Sequence, residues 1–258
     1  MNKAERQRQR ENVSQLSKRL IEAQRKITIL DAIKWTDEVQ SDFFNHRFKK
    51  QPRIDKAYYD KMPLPFDVNV KIEEFLSIIR DVQNQFGNFS AVTRLISDRC
   101  REYIRAIQML SVRGTPQFST IAIELYGSPS DAFYAGGPRL VEMGTLLFDL
   151  LTSLDVQLQS ELDQKRYTAE DGQKILQAKL NKYFQGHSDI VKVSVSDGLI
   201  ADASAGADSI KLKGGALFSK RDLRCLEVHE GWVHVGTTLN GMAQPYCNFL
   251  GKGSPSCS

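Results

Sequence analysis

The spacing of two histidines near the C-terminal end of the chain constrains its fold more than any other feature. His229 and His234 stand five residues apart in an H-E-x-x-x-H array, inside an apolar run that predicts a helix. On an ideal α-helix five residues turn about 500°, so the two imidazoles would point about 140° apart and could not share one ion. A π-bulge of about 4.4 residues per turn would bring them to about 50° apart, and Gly231 between them tolerates such a distortion. If the histidines act together, the sequence therefore predicts a widened or kinked turn over residues 229–234.

The residue types in this array are those of a zinc hydrolase. Two imidazoles that flank a carboxylate at near-helical spacing form a metal site with a general base beside it, and the usual zincin spacing is H-E-x-x-H. His229 and His234 are therefore candidate zinc ligands. Glu230 is the candidate catalytic base, which would take a proton from water at the metal and deliver it to a leaving amine. The alternative is a coincidence of His and Glu on a helix that binds no metal.

A third protein ligand, which a catalytic zinc normally needs, has no obvious position in the sequence. The 24 residues after His234 in the chain of 258 contain no Asp, Glu or His. Cys247 and Cys257 are the metal-competent side chains of that segment, although unpaired thiols without a metal are the plainer interpretation. Otherwise His187 or an upstream carboxylate would have to fold back to the site.

Length and composition place the chain among ordinary globular proteins. It has 258 residues, 41% hydrophobic and 26% charged, which is enough to bury a sizeable core. The net charge of +4 does not require a nucleic-acid partner, and no apolar run approaches the roughly 20 residues of a membrane span. We therefore expect neither nucleic acid nor a membrane as a partner. The charged N-terminus and the four cysteines without C-x-x-C spacing predict a cytoplasmic protein with reduced thiols; the composition leaves its oligomeric state open.

Residues 1–68 are predicted to form an N-terminal amphipathic helix and an extended connector. Apolar residues recur at helical spacing through residues 1–34, and prolines interrupt residues 35–68, which we expect to be irregular. Between Met1 and Lys26, eight Lys and Arg outnumber three Glu. This excess fits a solvated helix face, or a basic arm for RNA or a membrane surface.

Residues 69–258 are predicted to form a helical body, a small β-sheet and the helix that carries the histidines. Helical periodicity covers five segments, at about 70–86, 90–111, 116–126, 138–162 and 168–184. Alternating apolar and polar residues predict strands at 190–195, at 199–203 after a hairpin turn at Asp197-Gly198, and at 209–213. The fold class is therefore α+β, mostly α, with a zincin-like motif helix near the C-terminus.

Several segments between about Asp189 and Pro245 carry a resemblance to a known family. They are VSVSDGL at 193–199, AGADSIKLK at 205–213, Phe218-Ser219, LEVHEGWVH at 226–234 and NGMAQP at 240–245. In this order they resemble the bacterial "flavohemoglobin expression-modulating QEGLA motif" proteins, which are similar to the eukaryotic microtubule-associated tyrosine carboxypeptidases. Tyr126-Gly127-Ser128-Pro129 fits the same family less specifically.

The resemblance implies a zinc metallopeptidase, most specifically a carboxypeptidase that acts on a peptide or protein C-terminus. It makes His229 and His234 the metal ligands and Glu230 the catalytic base. The family's third ligand is a glutamate in a Gln-Glu-Gly-Leu-Ala segment that this sequence does not contain, so we expect a fragment or early termination of a longer protein. The alternative function is a catalytically incomplete regulatory or binding protein of the same fold.

The sequence offers several candidates for the residues that bind the substrate. A carboxypeptidase holds the terminal carboxylate of its substrate with a cation or backbone amides, and Lys211, Lys213, Arg139 and Arg224 are candidates by charge. The two lysines have an equally good explanation, because they would discourage aggregation if their strand lay at a sheet edge. Such an edge could also add an extended peptide as a further strand.

Overall fold

The computed structural model describes residues 2–157, 163–184, 191–199, 201–206 and 209–255. Contacts between residues divide the chain into two compact units, Met1–Asp131 with Ser254–Ser258, and Ala132–Gly253. This division does not test the predicted domain boundary between residues 68 and 69. The expected fold class, α+β and mostly α, is confirmed by the order of the elements.

Helices make up the first unit. They are α1 (Lys3–Gln24), α2 (Ile29–Ile33), α3 (Asp37–Asn45), α4 (Lys56–Asp60), α5 (Val68–Phe86), α6 (Ala91–Ser111) and α7 (Pro116–Tyr126). The buried residues of α5 and α6 recur at helical spacing, and Phe75 stacks on Tyr103 with 5.3 Å between ring centroids. Asp67 and Ser90 cap the two helices by accepting hydrogen bonds from backbone amides, and Gly87 ends α5 with φ of 75°. The helices predicted in this region are confirmed.

The N-terminal helix packs through its second half. Val13, Leu16 and Leu20 of α1 are buried, and Arg19 pairs with Asp81 of α5 at 2.6 Å. The helix is shorter than the predicted amphipathic stretch, since Leu30 lies beyond its end and is 79% exposed. Residues 2–11 are exposed, so the basic-arm interpretation stays a prediction.

The prediction that residues 35–68 are irregular is wrong, because α3 and α4 form within them. Asp37 and Glu38 lie in the first turn of α3, where acidic side chains interact favourably with the helix dipole. Asp55 caps α4 by accepting a hydrogen bond from the Tyr58 amide. The prolines of this segment lie outside both helices, where they limit helix length without preventing helix formation.

The second unit combines helices with a small sheet. Its elements are α8 (Leu140–Gln157), β1 (Tyr167–Thr168), α9 (Ala169–Tyr183), β2 (Lys192–Ser196), β3 (Ala203–Ala205), β4 (Ser209–Lys213), β5 (Leu217–Phe218), α10 (Lys220–Leu226), a π-helix (Glu227–Val235), α11 (Gly236–Met242) and a 3-10 turn (Asn248–Gly251). The predicted end of α8 near residue 162 and the predicted helix cap at Gly186 lie outside the described residues. Within the described part of the chain, no helix is both long and apolar enough to cross a membrane.

β4 lies at the centre of a three-stranded sheet of order β2-β4-β3. It pairs in parallel with β2, where Val193 lies opposite Ile210, and antiparallel with β3. The predicted hairpin is therefore wrong, although Asp197-Gly198 does form a turn. The physical reason is burial. Ile210 and Leu212 of β4 are fully buried, and a central strand is covered on both edges. β3, in contrast, offers only Ala and Ser side chains.

The core of the second unit lies between α9 and the sheet and extends to the π-helix. Leu176 and Leu180 of α9 are buried in one cluster with Ile210 and Leu212 of β4. Val235, the last residue of the π-helix, belongs to the same cluster. α9 therefore supports both the sheet and the π-helix.

Candidate metal centre

The two histidines lie on a π-helix that continues a regular helix without a break. α10 begins with a capping box in which Ser219 accepts a hydrogen bond from the Asp222 amide. The chain then widens over Glu227–Val235, and the amide of Gly236 donates to the carbonyl of Gly231, five residues back. The widened turn predicted from the histidine spacing is confirmed.

The widened helix brings His229 and His234 together. Their Nε2 atoms lie 3.3 Å apart, and the rings meet edge to face with centroids 4.8 Å apart and planes at 86°. Oε1 of Glu230 lies 3.8 Å from Nε2 of His229. Potential ligand atoms of all three residues lie within 4.8 Å of one another, and the described residues contain no second group of this kind.

The separation of the two imidazole nitrogens matches what one zinc ion requires. With Zn–N bonds of about 2.0–2.1 Å and a tetrahedral angle of about 109°, two ligating nitrogens lie about 3.3 Å apart. The observed distance between the Nε2 atoms is 3.3 Å, so the two histidines fit this metal. The same distance also fits a single N–H···N hydrogen bond between the rings, which is the metal-free alternative.

Glu230 is much more buried than the neighbouring His229. The side chain of His229 is 66% exposed, whereas that of Glu230 is 11% exposed. Exposed histidines leave room for open coordination positions toward solvent. The Glu230 carboxylate lies beside the site but mostly out of solvent, a position from which it can act on a water molecule held next to the ligands.

Contacts with α9 hold the π-helix at two points. A Cβ on Gly231 would lie 2.6 Å from Cδ2 of Leu180, so glycine permits the close approach of the two helices. Glu227, 1% exposed, pairs with Lys179 at 2.5 Å and with Arg224 at 2.9 Å. Burial alone would raise the pKa of Glu227, but the hydrogen bonds from Lys179 and Arg224 outweigh it and the pKa is lowered. This buried carboxylate is therefore ionised at neutral pH and compensated by two cations.

The candidate third ligands from the sequence do not join the described site. Cys247 is not part of the converging group. His187 and Cys257 lie outside the described residues. The structure therefore brings together two imidazoles and one carboxylate.

The structure corrects one expectation about substrate binding. Lys211 and Lys213 belong to β4, and the alternative that places them on an edge strand is wrong, because β2 and β3 flank β4. A peptide cannot add to a strand that is already paired on both sides. Arg224 is engaged by Glu227, whereas Arg139 is exposed directly before α8.

An aromatic recess on the π-helix has no signal in the sequence pattern. Trp232 meets Tyr183 edge to face with ring centroids 4.6 Å apart. The recess has a volume of about 180 Å³ and is lined by Tyr183, Phe184, Trp232, Gly236 and Asn240. It places an apolar surface on the helix that carries the histidines.

The pair of Lys179 and Glu227 is also beyond sequence reasoning. Glu227 stands between the apolar residues Leu226 and Val228, which is a weak signal of its role. Nothing marks Lys179, because it lies 48 residues from its partner.

The family comparison covers the site and most of the chain. A family model described as microtubule-associated tyrosine carboxypeptidase matches residues 41–258. No curated protein and no solved structure matches the chain significantly. The bacterial QEGLA grouping and the expected truncation stay predictions. The chain belongs to the microtubule-associated tyrosine carboxypeptidase family, a family of carboxypeptidases.

Proposed function

We propose that the protein is a zinc-dependent carboxypeptidase in which His229 and His234 hold the metal and Glu230 is the general base. The observation that carries the proposal is the 3.3 Å separation of the two Nε2 atoms, in a chain that belongs to a carboxypeptidase family. An i, i+5 spacing gives this separation on a widened helix but not on a regular one. π-bulges are also concentrated at functional sites, whereas a purely structural helix has no need of one.

The proposed reaction is hydrolysis of the last peptide bond of a peptide or protein. Zinc, when bound, supplies Lewis acidity toward the scissile carbonyl. Glu230 accepts a proton from the attacking water at a carboxylate oxygen and transfers it to the nitrogen of the departing amino acid as the C–N bond breaks. The low exposure of Glu230 limits exchange of this proton with bulk solvent.

Two histidines leave the coordination of a catalytic zinc incomplete, since three protein ligands are normal. The described residues bring no further His, Cys, Asp or Glu into the group, and Glu230 serves as the base in this mechanism. We expect the third ligand outside the described residues, where His187 and Cys257 are candidates within the sequence. The two-ligand set also supports a second function, a catalytically incomplete binding protein of the same fold.

Zinc content of the purified chain tests the metal site first. At sub-micromolar free zinc we expect about one zinc per chain, and loss of that zinc in both His229→Ala and His234→Ala. His46→Ala is the matched control, because His46 is exposed and belongs to the first unit. Zinc retained in all three variants would place the ion elsewhere. A wild-type chain without zinc would favour the binding-protein alternative.

Release of C-terminal amino acids from peptides separates catalysis from binding. Glu230→Gln should reduce release by about 10²–10⁴-fold, because it removes the proton acceptor, while zinc content and thermal stability stay at wild-type values. Peptides that end in tyrosine, in other aromatic residues and in charged residues measure the preference for the residue released. Wild-type rates in Glu230→Gln would contradict the assigned base.

A further inference from the structure

The π-helix needs support from outside itself. π-helical hydrogen bonding is rare and mostly limited to single turns, yet here it extends over the nine residues Glu227–Val235. A regular α-helix over the same residues would turn the two imidazoles about 140° apart. Some tertiary contact must therefore favour the wider form. β3, β4 and α9 all pack against the π-helix, and α9 contributes an ion pair and a close steric contact to it.

The first of these contacts is ionic and lies at the beginning of the π-helix. Glu227 is its first residue, and its carboxylate is 1% exposed. Lys179 reaches it from α9 at 2.5 Å, and Arg224 reaches it at 2.9 Å from the preceding turn. Arg224 and Glu227 lie on one continuous helix, so their contact cannot fix the position of that helix relative to a neighbouring element. The Lys179 contact joins two elements and can do so.

The second contact is steric and lies next to the first on α9. Leu180 follows Lys179, and it packs against Gly231, where a Cβ would approach its Cδ2 to 2.6 Å. Glu227 and Gly231 lie four residues apart, nearly one turn of a π-helix, so both face α9. His229 lies two residues from each and is exposed on the other side.

We propose that Lys179 is a positioning residue for the metal centre. Its ion pair with Glu227, together with the contact of Leu180 with Gly231, holds Glu227–Val235 in the π conformation and so sets the distance between the imidazoles of His229 and His234. The expected effect of Lys179 on zinc affinity rests on the proposed function, whereas its expected effect on the separation of the two imidazole rings does not.

Lys179→Met tests this role, because methionine keeps an unbranched side chain without the charge. Lys179→Arg should restore the pair, and Lys174→Met is the matched control, because Lys174 is an exposed lysine of α9. The first readout needs no metal: with labelled histidine, of which the chain has four, nuclear Overhauser contacts report whether the rings of His229 and His234 are close. The second readout is zinc affinity.

Lys179→Met should lose the ring-to-ring contact and bind zinc about 10–100-fold more weakly, the range typical of residues that orient metal ligands. Lys174→Met and Lys179→Arg should keep both. Retention of the ring-to-ring contact in Lys179→Met would overturn the proposal, and so would an unchanged zinc affinity in a chain that binds zinc through both histidines. If Lys179→Met does not fold, Lys179→Gln, which keeps a hydrogen-bond donor without the charge, takes its place with the same two readouts.

The two proposals fail in different ways. Close rings in a wild-type chain that binds no zinc would refute the zinc site and still support the role of Lys179, provided that the contact is lost in Lys179→Met. Zinc bound through both histidines with equal affinity in wild type and Lys179→Met would refute the positioning role and leave the zinc site intact.

Discussion

α6 and the π-helix differ in whether charged side chains are among those that they bury. α6 follows the usual amphipathic rule, with apolar residues such as Ile96 and Ile107 fully buried on one face. Over the π-helix the carboxylates of Glu227 and Glu230 are buried, while Val233 is 51% exposed. The first helix therefore buries an apolar face, whereas the second buries two carboxylates beside the apolar Val235.

The two helices consequently depend on different kinds of interaction. Apolar burial in α6 is non-directional and contributes about 25 cal/mol per Å² of buried apolar surface, whichever neighbours supply the contact. A buried carboxylate is stable only with specific partners in good geometry, and Glu227 has two cations within 2.9 Å. α6 should thus respond to changes in volume, and the π-helix to changes in a few named contacts.

The largest loss of stability should come from α6, where a cavity weakens the core of the first unit. Ile107→Ala should lower the free energy of unfolding by about 2–5 kcal/mol, through lost burial and the cavity left behind. Denaturant unfolding measures this change. Leu95→Ala, at a position 54% exposed on the same helix, should change it by less than about 0.5 kcal/mol. Zinc affinity per folded chain should stay unchanged in both, because neither residue belongs to the unit that holds the histidines. A loss in Ile107→Ala beyond the unfolded fraction would contradict this expectation.

A smaller loss of stability with a larger effect on the metal is expected at Gly231. Gly231→Ala places a Cβ 2.6 Å from Cδ2 of Leu180. It should lower the free energy of unfolding by about 1–3 kcal/mol through overpacking and weaken zinc binding about 10–100-fold. Zinc titration and denaturant unfolding of the same samples measure the two effects.

Gly236→Ala is the matched control for this change. Its Cβ would meet the nearest atoms at 3.6 Å and beyond, which is ordinary contact. Since Ala is favoured over Gly inside a helix by up to about 1 kcal/mol, Gly236→Ala should be neutral or stabilising. Equal effects of the two substitutions would mean that glycine is needed for helix flexibility and not for the approach of Leu180.

Modification of cysteine by a thiol reagent is the smallest perturbation. It compares the packing of α6 and α10 without any substitution. Burial raises the pKa of Cys100 in α6 to about 12, whereas Cys225 in α10 is exposed. At pH 8 the reagent should modify Cys225 in the folded chain and Cys100 only after unfolding, because the thiolate is the reactive form. Mass spectrometry of peptides identifies the modified sites. Rapid labelling of Cys100 in the folded chain at pH 8 would show that α6 is not packed as described.

The free energy of unfolding should also fall at high pH, because Cys100 is buried in α6. The folded state keeps the Cys100 proton up to about pH 12, whereas the unfolded state releases it near the ordinary value of 9.0. Between these values the unfolded state binds fewer protons, so the free energy of unfolding decreases as the pH rises. Cys100→Ala should show a shallower decrease over this range.

Local patterns were sufficient for the longer helices and for the residue types of the candidate site, but not for α3 and α4. Ser90 and Pro116 mark helix starts in both the sequence and the structure, because caps and proline act on the backbone within one turn. His229, Glu230 and His234 were identified by residue type, and the widened turn followed from the angle that five residues make on a helix.

Contacts distant in sequence account for the rest. The order β2-β4-β3 replaced the expected hairpin because burial of Ile210 and Leu212 in a central strand outweighed direct pairing of β2 with β3, although Asp197-Gly198 still forms a turn. The 3.3 Å between the imidazole nitrogens is found on a π-helix that packs against α9, β3 and β4, and the Lys179–Glu227 pair spans 48 residues. Residue types and spacings act over a few residues and specify which groups can do chemistry. The distance between those groups is set by packing between elements, which no local pattern encodes.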